Sequence, residues 1–139
     1  MTLTRRYRFS ASHRLHSPQL SEAENDRVYG KCNNPFGHGH DYVVEVSVSG
    51  PLDAVTGRIV DLETMDRLVR EQVLEPFEHR NMNEDIAAFS DVVPTTENLA
   101  IEIVRRLDGA WVRAFASYTT KLQKVTIRET RNNTFELKL

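Results

Sequence analysis

The segment from Gly37 to Val48 most constrains the fold, because a His-Gly-His motif runs directly into an alternating strand pattern. Successive side chains of a strand point to opposite faces, so residues two apart share a face. His38 and His40 therefore stand side by side, with the same parity as the apolar residues at the even positions from 42 to 48. We expect both imidazoles at the mouth of the apolar face of this strand.

A second alternating segment, at about residues 3–13, ends at His13 with the apolar parity. If it pairs antiparallel with the strand at about 40–49, His13 reaches the same end of the hairpin as the other two histidines. Three protein ligands and one open position are typical of a catalytic zinc site. We therefore predict a Zn²⁺ site formed by His13, His38 and His40. The alternative, that each is an ordinary hydrogen-bonded or surface histidine, is weaker for three that converge.

The single cysteine, Cys32, lies in the long connection between the two strands and allows three interpretations. As a fourth zinc ligand it would close the site and make it structural. As a free thiol near the metal it would serve as a general base, because the nearby positive charge lowers the pKa of the thiol. As a buried apolar residue it would have no chemical role. The polar neighbours Lys31, Asn33 and Asn34 count against burial in the core.

Two acidic positions further along the chain are also candidates for chemistry. Glu78 precedes His79, and a carboxylate that orients an imidazole is a proton-transfer unit, although the pair is equally compatible with a surface helix end. Glu129 has the parity of Val125 and Ile127, so it points to the apolar face of its strand. A carboxylate there is costly unless an arginine pairs with it or a ligand uses it.

The remaining patterns predict an α+β fold. Asp61 can cap a helix with apolar residues at helical spacing up to Val73, and Pro76 closes it. A second helix begins at the Pro94-Thr-Thr-Glu segment, and strands at 125–129 and 135–139 join through an Asn132–Asn133 turn. The order strand, strand, helix, helix, strand, strand indicates a four-stranded antiparallel sheet with two helices on one face. We expect one domain over residues 1–139.

Composition excludes several classes of protein. The formal net charge of -2 argues against a general nucleic-acid binder, which normally has a basic surplus. No apolar run approaches the roughly 20 residues of a membrane helix, and no signal-peptide core is present. One cysteine forms no internal disulfide, which suits a reducing compartment. We expect a cytoplasmic protein with neither a membrane nor a nucleic-acid partner.

Taken together, five segments of the chain resemble the 6-pyruvoyl-tetrahydropterin synthase family. They follow the order of the family and span nearly the whole chain, and their combination is specific. The matching segments are Phe9-Ser-Ala-Ser-His-Arg-Leu15, Gly30-Lys-Cys-Asn-Asn-Pro-Phe-Gly-His-Gly-His40, Glu78-His-Arg-Asn81, Pro94-Thr-Thr-Glu-Asn98 and Glu129-Thr130.

The resemblance implies the tunnelling fold, in which several subunits join their sheets into a barrel, and a homohexamer of two stacked trimers. The open sheet edges give a physical reason to expect such association. The resemblance also implies that Cys32 is the catalytic base and that His79 relays protons. Position 78 is aspartate in the family and glutamate here.

The family assigns the anchoring of the pterin ring to the position of Glu129, whose carboxylate can accept two parallel hydrogen bonds. Thr95 and Thr96 are either ring contacts or simply the cap of the second helix. The implied reaction converts 7,8-dihydroneopterin triphosphate into 6-pyruvoyl-tetrahydropterin with loss of triphosphate. Basic residues available to neutralise the triphosphate are Arg5, Arg6, Arg8, Arg14 and Lys31.

Two alternative functions remain open at this point. The first is 6-carboxy-5,6,7,8-tetrahydropterin synthase of queuosine biosynthesis, a relative with the same fold, zinc and pterin anchor. Its cysteine usually lies closer to the His-Gly-His motif than the five intervening residues of this chain. The second is a non-enzymatic, zinc-stabilised pterin-binding module with Cys32 as a fourth ligand.

Overall fold

A long antiparallel hairpin forms the centre of the protein in a computed structural model that describes residues 1–116 and 119–139. Strand β1 spans Thr2–His13 and strand β2 spans His38–Ser49, with register from Thr2↔Ser49 to His13↔His38. The predicted strands were slightly shorter, so His38 lies inside β2 rather than before it. The expectation that the three histidines meet at one end of the hairpin is confirmed.

The hairpin belongs to a five-stranded sheet with the order β3-β1-β2-β4-β5. Strand β4 spans Lys121–Arg128 and β5 spans Thr134–Lys138, and both pair antiparallel as predicted. The predicted count of four strands is wrong, because β3, Arg80–Asn81, adds a parallel edge next to β1. Two residues are too few to produce a recognisable alternation.

The two predicted helices cover one face of the sheet. Helix α2, Leu62–Val69, is capped by Asp61 and continues as a π-helical turn, Arg70–Leu74, and a short helix α3, Glu75–Phe77. Pro76 therefore lies within the last helical turn instead of closing it. Shorter elements are helix α1, Glu22–Tyr29, the 3₁₀ turn Gly30–Asn33, helix α4, Met82–Asp85, and the 3₁₀ turn Ala87–Phe89. The long helix α5 spans Thr96–Ala114.

The hydrophobic core lies between the helices and one face of the sheet. Strand residues such as Tyr42 and Val44 are fully buried there, facing Phe77 and Leu99 of the helical layer. The opposite face of β1 is mostly polar and exposed. In the described part of the chain, no helix combines the length and the hydropathy that a bilayer crossing requires. The core thus holds the strand ends, and the histidines they carry, in a fixed arrangement.

Candidate metal and catalytic site

Three imidazoles meet at the end of the hairpin. Their ring centroids are 5.1 Å apart for His13 and His38, 5.0 Å for His13 and His40, and 4.6 Å for His38 and His40. Gly37 permits this approach, since it has a φ of 70° and a Cβ there would lie 2.9 Å from the carbonyl oxygen of His13. A left-handed residue packed against backbone requires glycine.

The orientation of His13 is fixed by a backbone carbonyl. Its Nδ1 lies 3.0 Å from the carbonyl oxygen of Pro94, and its Nε2 lies 3.2 Å from Nε2 of His38. The ring is fully buried, and this burial lowers the pKa of His13 to about 4. The neutral ring donates Nδ1–H to Pro94, so its Nε2 lone pair faces the other histidines.

Glu129, which directly follows β4, completes the cluster. Its Oε1 lies 3.7 Å from Nε2 of His13 and 3.6 Å from Nε2 of His40, and its side chain is 12% exposed. The carboxylate thus points to the apolar face, as its parity predicted. Among residues 1–116 and 119–139, only histidines lie within ion-pairing distance of this carboxylate. The alternative, in which an arginine such as Arg128 pairs with Glu129, is therefore wrong.

The residues of this cluster fit a zinc ion. One possible ligand group is His13, Cys32 and His38, and another is His13, His40 and Glu129; in each group the donor atoms lie within 4.8 Å of one another. Nε2 of His40 is buried without a hydrogen-bond partner in the described structure. Imidazole, thiolate and carboxylate donors suit zinc, and an orphaned buried nitrogen is costly unless something binds it.

Cys32 lies in the 3₁₀ turn that precedes β2, partly buried and beside His13 and His38. The structure thus places it at the cluster and outside the hydrophobic core. Burial, with a smaller contribution from the charge of Glu129, raises the pKa of the Cys32 thiol. A lowered thiol pKa in the presence of a bound metal stays a prediction, because the positive charge that would lower it comes from the cation.

Glu78 and His79 form the expected pair. Oε1 of Glu78 is 2.9 Å from Nε2 of His79, so the longer glutamate still reaches the imidazole. The backbone of Ser10 holds both residues: its N–H donates to Glu78 at 3.4 Å, and its carbonyl accepts from the N–H of His79 at 2.7 Å. The His79 side chain is 82% exposed, with a backbone φ of 56° that is unusual outside glycine.

A cavity of about 300 Å³ adjoins both His79 and His40. It is bordered by Ser10 and Asp41, whose side chains are joined by a hydrogen bond of 2.5 Å. No hydrogen bond or ion pair in the described residues connects His79 with Cys32. A larger cavity of about 630 Å³ lies around the loop at 51–61 and contains none of the predicted site residues.

The threonines and basic residues are placed as follows. Thr95 caps α5 by accepting a hydrogen bond of 3.3 Å from the N–H of Asn98, and Thr96 is buried in the first turn.

Two of the candidate triphosphate ligands are engaged elsewhere, since Arg5 pairs with Asp66 at 2.5 Å and Arg6 with Glu45 at 2.7 Å. Candidates without a carboxylate partner in the described structure are Arg8, Arg14 and Lys31.

Sequence reasoning missed two groups of residues around the site. One is the Pro94 carbonyl, which was missed because the contacts of a main-chain oxygen leave no signal in the sequence. The other is a hydrogen-bonded group beside Cys32, for which the polar residues around the cysteine were the only available signal. Its members are Arg14, His16, Asn33 and Asn83.

Comparisons with known proteins agree with this geometry. The family profile described as 6-pyruvoyl tetrahydropterin synthase matches residues 2–138. The 6-pyruvoyl tetrahydrobiopterin synthase of Poecilia reticulata is 52% identical over 101 residues, which are 73% of this chain and 69% of that protein. The Homo sapiens protein of the same name is 43% identical over 131 residues, covering 94% of this chain and 86% of the human one.

A solved structure of Caenorhabditis elegans 6-pyruvoyl tetrahydropterin synthase superposes with a TM-score of 0.89 at 40% identity, covering 99% of this chain and 94% of that one. The sheet and its helical layer are thus those of the predicted tunnelling fold, and the chain belongs to the 6-pyruvoyl tetrahydropterin synthase family.

Proposed function

We propose that the protein is a zinc-dependent lyase that converts 7,8-dihydroneopterin triphosphate into 6-pyruvoyl-tetrahydropterin and triphosphate. The observation that carries this proposal is the convergence of three imidazoles, one thiol and one carboxylate at a single end of the sheet. The relatives named as synthases of this product add support.

In this proposal His13, His38 and His40 would hold the zinc. The assignment is supported by the buried Nε2 of His40, which has no hydrogen-bond partner among the described residues. Zinc bound there supplies Lewis-acid polarisation of the oxygens on the substrate side chain. The Pro94 carbonyl keeps Nε2 of His13 free for the metal by holding the proton on Nδ1.

Cys32 Sγ removes the proton from the side-chain carbon next to those oxygens. Its place beside His13 and His38 suits this role, because a general base must lie within reach of the proton that it abstracts. The carboxylate of Glu129 anchors the pterin by accepting hydrogen bonds from its N–H and amino group. Thr95 and Thr96, which follow Pro94, are proposed as secondary contacts to the ring.

His79, oriented by Glu78, relays protons to and from the side-chain oxygens. Because the His79 side chain is exposed and has no hydrogen bond or ion pair with Cys32 in the described structure, we propose that the pair serves the site of a neighbouring subunit. This requires assembly, and the proposed form is a homohexamer of two stacked trimers whose sheets join into barrels. We place this enzyme in the cytoplasm, in keeping with a single cysteine and no internal disulfide.

The decisive experiment supplies 7,8-dihydroneopterin triphosphate to purified, zinc-loaded protein and identifies the products by mass spectrometry. We expect equimolar 6-pyruvoyl-tetrahydropterin and triphosphate, with loss of turnover on chelation and recovery on addition of zinc. A 6-carboxy-tetrahydropterin product would instead assign the protein to the queuosine-type synthases. Tight pterin binding without any conversion would indicate a binding module.

A further inference from the structure

We propose that the side chains of Asn33 and Arg14 are positioning residues that hold Cys32 against the histidine cluster. The inference rests on the proposed function, in which the Cys32 thiol abstracts the substrate proton. The thiol is carried by the 3₁₀ turn Gly30–Asn33, which has only four residues and no side-chain cap. The turn directly follows helix α1, and bonds from elsewhere in the chain fix it beside the histidine cluster.

Those bonds come from the residues that directly follow His13. The carbonyl oxygen of Asn33 accepts from Nε of Arg14 at 3.2 Å, and Oδ1 of Asn33 accepts from Nη2 of Arg14 at 3.0 Å. The same Oδ1 lies 3.1 Å from Nδ1 of His16. The N–H of Leu15 donates to the carbonyl oxygen of Cys32 at 2.7 Å. The turn is thus attached to the chain immediately beyond a candidate zinc ligand.

Arg14 is itself held from its other side. Oδ1 of Asn83, in α4, accepts from the backbone N–H of Arg14 at 2.7 Å, and Nδ2 of Asn83 donates to the Arg14 carbonyl at 2.9 Å. In residues 1–116 and 119–139 the Arg14 guanidinium has no carboxylate partner. Its planar fork instead matches the two oxygens of Asn33, a geometry that the point charge of a lysine does not reproduce.

The consequence is a fixed distance between the thiol and the histidines. Asn33 is only 6% exposed, so an acceptor removed there is not replaced easily by water. A misplacement of about 1 Å costs on the order of 10²-fold in rate when a reacting group must meet its substrate in one geometry. Loss of either residue should therefore reduce turnover more than it reduces substrate affinity.

The test compares Asn33→Ala and Arg14→Lys with a matched control, Asn25→Ala. Asn25 is another buried asparagine of the same connection, and among the described residues its side chain bonds only to Ser17, Leu20 and Ser21. We expect the two test variants to lose about 10–100-fold in kcat with KM and zinc content unchanged. The control should keep the parental kcat even where its thermal stability falls.

Arg14→Lys distinguishes the hydrogen-bonding geometry of the guanidinium from its charge, because lysine keeps the positive charge but lacks the planar set of donors. If Arg14 served mainly to attract the triphosphate, this variant would keep its turnover. Parental kcat in both test variants, within about threefold, would overturn the proposal. So would an equal loss of kcat in Asn25→Ala, which would mean that any loosening of this connection has the same effect. If Asn33→Ala does not fold, Arg14→Lys decides the outcome.

A second measurement needs no substrate. Hydrogen exchange at the Leu15 amide, followed by mass spectrometry, reports directly on its bond to the Cys32 carbonyl. We expect faster exchange there in Asn33→Ala than in Asn25→Ala, and equal exchange in the two would overturn the proposed attachment. If the parent protein forms no pyruvoyl product, the proposed function fails while this exchange result still decides whether Asn33 holds the turn.

Discussion

Two polar clusters of this protein contain buried polar groups, and they differ in how completely those groups are paired. On α5, Oε1 of Glu102 accepts from Arg105 at 2.7 Å and from Arg106 at 2.6 Å, and Oε2 accepts from Arg105 at 2.7 Å. In the histidine cluster, Nε2 of His40 is buried without a hydrogen-bond partner in the described structure.

The difference indicates what each cluster does. A fully paired cluster gains nothing from a further ligand, so the Glu102 group stabilises the helix to which it belongs. A buried nitrogen without a hydrogen-bond partner costs free energy, and this cost is recovered when a ligand binds to it. We therefore expect changes in the histidine cluster to affect ligands and turnover, and changes in the Glu102 cluster to affect the free energy of unfolding.

The largest expected effect is that of His38→Ala on the metal. Removing one of three imidazole ligands should abolish stoichiometric zinc binding and with it the activity, while the protein stays folded, because the core does not depend on this ring. Metal analysis and circular dichroism measure the two outcomes. The exposed His79 provides the control, since His79→Ala should keep its zinc. Parental zinc content in His38→Ala would contradict the assignment.

Next in size is Cys32→Ala. If the thiol is the general base, turnover should fall by about 10²–10⁴-fold with zinc, fold and pterin binding retained. Steady-state kinetics and zinc analysis on the same sample separate the three interpretations of this cysteine. Joint loss of zinc and stability would indicate a fourth ligand, and near-parental turnover would indicate a packing residue.

A smaller effect is expected for Glu129→Gln. The amide keeps the size of the side chain but loses the charge that strengthens its hydrogen bonds, and bonds to charged groups contribute about 1.5–3 kcal/mol. Pterin affinity should therefore fall roughly 10–100-fold by calorimetric titration. Zinc content should be unchanged. Unaltered affinity would remove the anchoring role, and lost zinc would make Glu129 a metal ligand.

The smallest effect is that of Glu102→Gln, at about 1 kcal/mol of unfolding free energy, because Arg105 is largely exposed. Hydrogen bonds from Arg105 and then Arg106 hold the pKa of Glu102 below its ordinary value of 4.5. A carboxyl with a depressed folded-state pKa stabilises above its unfolded pKa and loses this contribution as the pH falls. Chemical denaturation should show the difference between parent and variant shrinking as the pH falls below the ordinary pKa of 4.5, with turnover similar at neutral pH.

Local sequence patterns determined which side chains share a face of a strand and where the two main helices begin. The alternation of β1 and β2 placed His13, His38 and His40 on one face and at one end, because strand periodicity is a property of neighbouring residues. The caps Asp61 and Thr95 were also readable, since a cap bonds within three residues of itself. The resemblance to the family added the order of the site segments along the chain.

Only the tertiary structure decided which distant groups meet. The order of the sheet places β4 next to β2 and so brings Glu129 to His40, and the loop before α5 brings the Pro94 carbonyl to His13. The tertiary structure likewise decided the hydrogen bonds between Asn33 and Arg14 and the solvent exposure of His79. Periodicity specifies the face on which a side chain lies, whereas contacts between segments far apart in sequence depend on how the whole core packs.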